Sequence, residues 1–109
     1  MSALTDLCRG QPCYVNLPGV CNHNPETVVP AHLRQIGISG AGLKAPDIFV
    51  CPACFECHNA IDRRSHMDLD RDYVQLAHYR AWATWLNELY QREIITVGVI
   101  GKKARSAFR

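Results

Sequence analysis

The segment CPACFEC, residues 51–57, constrains what this chain can fold into more than any other stretch. It carries three of the six cysteines in two overlapping Cys-x2-Cys pairs, Cys51/Cys54 and Cys54/Cys57, which cannot both serve one metal. A second pair, Cys13 and Cys21, lies upstream with seven residues between its members. In a reducing compartment such cysteines are metal ligands more readily than disulfides. A domain of 109 residues with a turn-rich first quarter also has little else to order it. A helix opening at Cys57 would favour that thiolate through its partial positive charge, which selects Cys54/Cys57 over Cys51/Cys54. The expected structural zinc site is therefore Cys13, Cys21, Cys54 and Cys57. Cys51 then reads as a buried apolar residue, and Cys8 has no assigned partner. A redox role for CPACFEC lacks the strand–helix–strand context that such motifs need.

The elements around these cysteines point to a single α+β domain over residues 1–109. Its expected core spans about 6–67, followed by a helix and strand over 73–100 and a basic tail over 101–109. Residues 1–27 read as loop, punctuated by Pro12, Pro18-Gly19 and Asn22 through Pro25. TVVPAHL (27–33) and DIFV (47–50) read as two strands of a hairpin, with Pro30 tolerated only at an edge or bulge. The connection 34–46 holds Gly37, Gly40 and Gly42, and a short helix is expected from Cys57 to about His66. Residues 73–92 form the longest helical pattern. Leu76, Tyr79, Ala83, Leu86 and Tyr90 make a stripe that Trp82, Trp85 and Leu89 widen, for use in the core or at a subunit interface. IITVGVI (94–100) reads as a strand that closes the sheet or pairs across a dimer.

The formal charge of +2 is too small to draw a polyanion by its overall field. A zinc ion held by four thiolates adds net negative charge and brings the loaded chain near neutrality. Nucleic acid would thus have to be held by local patches. The candidates are Arg34, Arg63-Arg64, and the tail GKKARSAFR with Lys102 and Lys103. The chain has no apolar run that would span a bilayer, and MSALTDLCRG lacks the pattern of a secretory signal, so a cytoplasmic protein is expected.

His58 directly follows Cys57, and on a helix it points about 100° away from that thiolate. It shares a face with Asp62 and, eight residues on, with His66. A histidine and a carboxylate one turn apart can seat a hard divalent cation, or they can form a plain hydrogen bond on a solvated helix. His32 ends the first expected strand. A hairpin folded onto the helix would set it opposite His58 and Asp62, as a general base aimed at a water beside a metal-bound phosphodiester.

The order of these residues resembles the HNH (ββα-metal) nucleases. More narrowly, PGVCNHNPETVVPAHLRQIGISGAGLKAPD followed by CFECHNAIDRRSH is similar to the YbcO family of prophage-encoded candidate nucleases. The resemblance covers about Asp6 to Met67 and continues more weakly through the long helix. It implies a zinc-stapled treble-clef or ββα-metal core and a second, catalytic Mg²⁺ or Mn²⁺. His32 would be the base, with His58, Asp62 and His66 as candidate ligands. The chain departs from the HNH pattern at Ala31, where many members carry an acidic ligand. The asparagine that orients the base has no clear match, and Asp47 lies nearest. The implied activity is metal-dependent hydrolysis of DNA phosphodiesters in phage-linked recombination or processing. The rival is a non-catalytic zinc module that binds DNA or a protein.

Overall fold

The structure, a computed structural model, describes residues 3–34 and 47–98. Its elements run in the order α1 (Ala3–Cys8), a 3-10 turn (Pro25–Thr27), β1 (Val29–His32), β2 (Val50–Ala53), α2 (Phe55–Ile61) and α3 (Arg71–Gln91). The two strands form one antiparallel ladder, pairing Val29 with Ala53, Pro30 with Pro52, Ala31 with Cys51 and His32 with Val50. Two prolines face each other, and neither has an N–H to give. They can share only a non-hydrogen-bonded pair, so the ladder bonds fall to the neighbouring positions. The free carbonyl of Pro52 accepts instead from the Tyr14 N–H at 2.9 Å, which ties the N-terminal loop to the sheet edge.

The second strand lies three residues later than DIFV. The Leu33 N–H still reaches the Phe49 carbonyl at 2.9 Å, but Asp47 to Phe49 form a turn into the strand. β2 is buried along its whole length, packed by both α1 and α3. α1 replaces the first part of the expected loop. Leu4 and Leu7 pack on the core, and the Cys8 thiol donates back to the Leu4 carbonyl at 3.7 Å. The helix stops at Gly10, whose φ of 78° suits a residue without a Cβ.

α2 starts two residues before Cys57 and is over at Ile61. Its end is set by backbone geometry. The Arg63 N–H reaches Ala60 O at 3.2 Å and the Arg64 N–H reaches Asn59 O at 2.9 Å, with Arg63 in the left-handed region at φ 59°. That double bond is a Schellman stop built without glycine. His66 is consequently not on the helix and does not share a face with His58.

α3 buries Val74, His78, Ala81, Trp85 and Leu89. Of the expected stripe, Trp85 and Leu89 are on this buried face and Trp82 and Leu86 are half-buried, while Leu76, Tyr79, Ala83 and Tyr90 are exposed. Trp85, 1% exposed, meets the ring of Tyr14 edge-on at 5.1 Å, a geometry worth about 0.5–1.5 kcal/mol beyond burial. Trp82 is half-buried. Its Nε1–H donates to Ile48 O at 2.9 Å, and its ring lies 5.6 Å from that of Phe49. A second Schellman stop, with Glu93 at φ 59°, ends α3 and turns the chain back through Ile94 N–H to Leu89 O at 3.0 Å. Residues 94–98 are turn and irregular backbone rather than strand, and Ile95 packs on the core while Val97 is 74% exposed. Residues 35–46 of the expected connection 34–46, residues 99–100 of the expected strand 94–100, and the tail residues Lys102 and Lys103 lie outside the described residues. Among the described residues no helix is long and apolar enough to cross a membrane.

Candidate functional site

The four expected cysteines converge. The sulfurs of Cys13, Cys21, Cys54 and Cys57 all lie within 4.8 Å of one another. Cys54 Sγ and Cys21 Sγ are 3.8 Å apart, which equals the edge of a tetrahedron with Zn–S bonds of about 2.3 Å. Three local devices produce this. The Tyr14–Pro52 bond places Cys13 against the corner between β2 and α2, where the Cys54 N–H donates to its sulfur at 3.2 Å. The seven residues between Cys13 and Cys21 form a turn rather than a tight knuckle. Val20 and Cys21 N–H groups both close onto Leu17 O, with Gly19 at φ 74°. Cys54 caps α2, accepting the Cys57 N–H at 3.4 Å.

Further N–H groups point at these sulfurs: Asn16 to Cys13 at 3.4 Å, His23 to Cys21 at 3.4 Å and Leu17 to Cys57 at 3.5 Å. Such donors stabilise thiolate. Cys13 is brought down to about 5, chiefly by the hydrogen bond from Cys57 and then by the Cys54 and Asn16 amides. Its neighbours are shifted the other way. Cys57 is pushed up, first by its bond to Cys13 and then by burial, and burial raises Cys21 to about 11. Four converging sulfurs with amide donors fit a tetrahedral soft-ligand cation such as zinc. Cys51 and Cys8 stand apart from this set, both fully buried, with burial pushing Cys8 up to about 12 and Cys51 higher still.

A second, polar cluster lies where β1 ends beside α2. His32 Nε2 is 3.0 Å from Asp47 Oδ1, across the point where the chain leaves one strand and re-enters the other. With that nitrogen protonated and donating, Nδ1 becomes the basic atom of the ring. On α2, His58 Nε2 is 3.4 Å from Asp62 Oδ2, one helical turn away. The same carboxylate oxygen accepts from Arg64 Nη2 at 3.0 Å. Burial holds the His58 imidazole below its usual range. Asp62 opposes that, while Arg64, Arg34 and His32 reinforce it by positive charge.

Other expected site residues are elsewhere. His66, at φ 52°, sits 3.7 Å from Glu56 Oε2. The Arg63 guanidinium is spent on the carbonyls of Leu69 at 3.1 Å and Met67 at 3.0 Å, bracing the loop between α2 and α3. Arg34 and Arg64 are exposed. The Ala31 side chain is fully buried in the core, on the opposite face of β1 from His32. One residue that sequence reasoning missed is His78. It is 3% exposed on the inner face of α3, with Nε2 3.2 Å from Ala31 O. Burial lowers its basicity against that hydrogen bond. No spacing singled it out, because it sits one residue before an expected stripe position.

Fold and site together define a small α+β protein with a four-cysteine metal-type cluster and a histidine–carboxylate surface beside it. The chain belongs to the family described as "Putative nuclease YbcO", whose model matches residues 2–93. It is 48% identical over 75 residues to "Putative nuclease YbcO" of Escherichia coli K12, covering 69% of this chain and 77% of that protein. The same figures hold for the protein of that name from Enterobacteria phage 82. A solved structure described as a putative bacteriophage protein from Escherichia coli K-12 superposes with a TM-score of 0.69 at 37% identity, covering 82% of this chain and 98% of that one.

Proposed function

We propose that the protein is a divalent-metal-dependent endonuclease of HNH type that hydrolyses DNA phosphodiesters, in phage-linked recombination or DNA processing within the cytoplasm. The observations that support this are two histidine–carboxylate contacts on neighbouring elements, His32 with Asp47 at 3.0 Å at the end of β1 and His58 with Asp62 at 3.4 Å on α2, which packs against β1. In this reading the β1–β2–α2 order is a ββα-metal unit, stapled by zinc in treble-clef manner at the four cysteines, and residues 1–109 work as one domain. Asp47 holds His32 in the tautomer whose Nδ1 can take a proton from water, the role an asparagine or carboxylate plays beside other catalytic imidazoles. His58 and Asp62 would hold Mg²⁺ or Mn²⁺. Bound there, the cation supplies charge stabilisation to the pentacovalent phosphate and the leaving oxygen. Arg64 then turns from Asp62 to a neighbouring phosphate, joined by Arg34.

The rival, a zinc module that binds DNA or protein without chemistry, is favoured by one observation. Ala31 is buried in the core, so β1 offers no acidic ligand and the cation has only two protein ligands. The deciding experiment is cleavage of plasmid and branched DNA with Mg²⁺ or Mn²⁺, wild type beside His32→Ala. Loss of the base should slow cleavage by about 10²–10⁴. DNA binding by the wild type without cleavage under either metal would give the case to the module.

A further inference from the structure

Between the end of α2 and the first two turns of α3 lies a cleft of about 160 Å³, lined by Ile61, Arg63, Arg71, Val74, Gln75 and His78. Arg71, Val74, Gln75 and His78 are spaced i, i+3, i+4 and i+7, so they share one face of α3. That face grades from floor to mouth: Val74 and His78 are buried, Gln75 is half-buried and Arg71 is exposed. At roughly 30 Å³ per liquid water, the space equals about five waters. It has room for one tetrahedral oxyanion with part of its hydration.

The charge of the cleft is one-sided. Two of its six lining residues are arginines and none is acidic. Arg63 is fixed in place by its left-handed backbone, φ 59°, and by the bonds from Nη1 to Leu69 O at 3.1 Å and from Nη2 to Met67 O at 3.0 Å. Carbonyl partners hold a guanidinium without neutralising it and leave it further N–H donors. Arg64 and Arg92 each pair with a carboxylate, whereas among the described residues Arg63 and Arg71 pair with none. Two like charges in one small cleft repel, and an anion between them turns that cost into attraction. Gln75, one turn beyond Arg71, adds an amide donor. At the inner end His78 donates Nε2–H to Ala31 O at 3.2 Å. Its Nδ1, without a partner among the described residues, is left to take a bridging water. The cleft is one residue away from both histidine–carboxylate pairs: Arg63 follows Asp62, and Ala31, which His78 meets, precedes His32.

We propose that this cleft is a site for a single phosphate group, held by Arg71, Gln75 and the fixed guanidinium of Arg63. Two sources share that chemistry, the DNA backbone and free phosphate. As a DNA phosphate it is a neighbour of the one bound at His58 and Asp62. That assignment rests on DNA being the ligand but not on its cleavage, and it holds equally for a non-catalytic module.

Two measurements on the full, zinc-loaded chain test the site, with circular dichroism and zinc content as checks of fold. In the first, inorganic phosphate is titrated while proton–nitrogen NMR spectra follow the Arg71 guanidinium and the His78 ring. Both should shift saturably in the wild type. The His78 response should be lost in Arg71→Gln and kept in Arg80→Gln, which changes an exposed arginine of α3 outside the cleft. In the second, fluorescence anisotropy reads duplex DNA affinity across a range of salt. Arg71→Gln should bind about tenfold more weakly, with the logarithmic salt slope reduced by about 0.9. Should Arg71→Gln fail to fold, Gln75→Leu reads the same cleft. A wild type with no saturable phosphate response, or a response that Arg71→Gln leaves intact, would overturn the site. A phosphate response lost in Arg71→Gln, with DNA affinity and slope unchanged, keeps the site and makes free phosphate its source. A wild type that shows this response yet binds no DNA also removes DNA from the proposed function.

Discussion

Cys54→Ser isolates what the metal does for this fold. Cys54 has two jobs: its sulfur is one of the four that converge within 4.8 Å, and it caps α2 by accepting the Cys57 N–H at 3.4 Å. Serine is among the best N-cap residues, so the variant keeps the cap and loses only the thiolate. A structural zinc contributes about 10–16 kcal/mol of apparent binding energy near neutral pH. The net stability of a domain is only about 5–15 kcal/mol. The described first half is poorly placed to survive that loss. Its regular elements are a six-residue helix, a three-residue 3-10 turn and two four-residue strands. The loop from Gln11 to Asn24 has no helix or strand of its own and is held by the sulfurs, the Tyr14–Pro52 bond, the Tyr14–Trp85 contact and the burial of Val15, Leu17 and Val20. Cys54→Ser should therefore bind less than one zinc per chain and show exchange-labile amides over residues 11–34 and 47–57, while α3 keeps part of its helicity. Cys51→Ala, which removes one buried sulfur outside the cluster, should cost about 1 kcal/mol and keep its zinc. Metal content by mass spectrometry, with hydrogen exchange, reads both. Zinc retained at one per chain in Cys54→Ser, or lost in Cys51→Ala, would refute the assignment.

Four further outcomes follow from the geometry. Asp47→Asn should slow cleavage about 10- to 100-fold, less than His32→Ala, because Asp47 is a quarter exposed and solvent partly replaces its orienting role; single-turnover rates on plasmid DNA read the difference. Asp62→Ala should raise the Mg²⁺ or Mn²⁺ needed for half-maximal cleavage, with activity partly restored by excess metal in a titration. His78 is held neutral by burial, so the unfolded chain takes up its proton first as pH falls below about 6.5. Its contribution is thus fully present above that pH and is lost below it, and urea unfolding of His78→Gln at pH 5.5 and 7.5 should show a smaller acid penalty than wild type. Truncation after Gly101 removes Lys102, Lys103, Arg105 and Arg109 and should flatten the salt dependence of DNA binding, by about 0.9 in logarithmic slope per lost phosphate contact, without changing the cleavage step.

Sequence alone determined the elements whose signal is local or carried by residue chemistry. The cysteine quartet could be chosen because zinc needs four thiolates and Cys54-x2-Cys57 opens a helix. The antiparallel strands and the long helix were legible from β-branched runs and from helical periodicity. Tertiary structure decided what depends on which neighbour arrives. α3 has apolar residues on both sides, and the regular stripe is the exposed one. The buried face instead includes His78, whose polar ring is accepted only because Ala31 O is there to meet it. The limits of α2 were hidden because its cap is a cysteine and its stop a left-handed arginine, where composition rules look for serine and glycine. That stop removes His66 from the face of His58 and commits Arg63 to the Leu69 and Met67 carbonyls. The partnership of His32 with Asp47, fifteen residues away, exists because β1 and β2 pair in one register, and a shift of one residue would turn His32 into the core and Ala31 out.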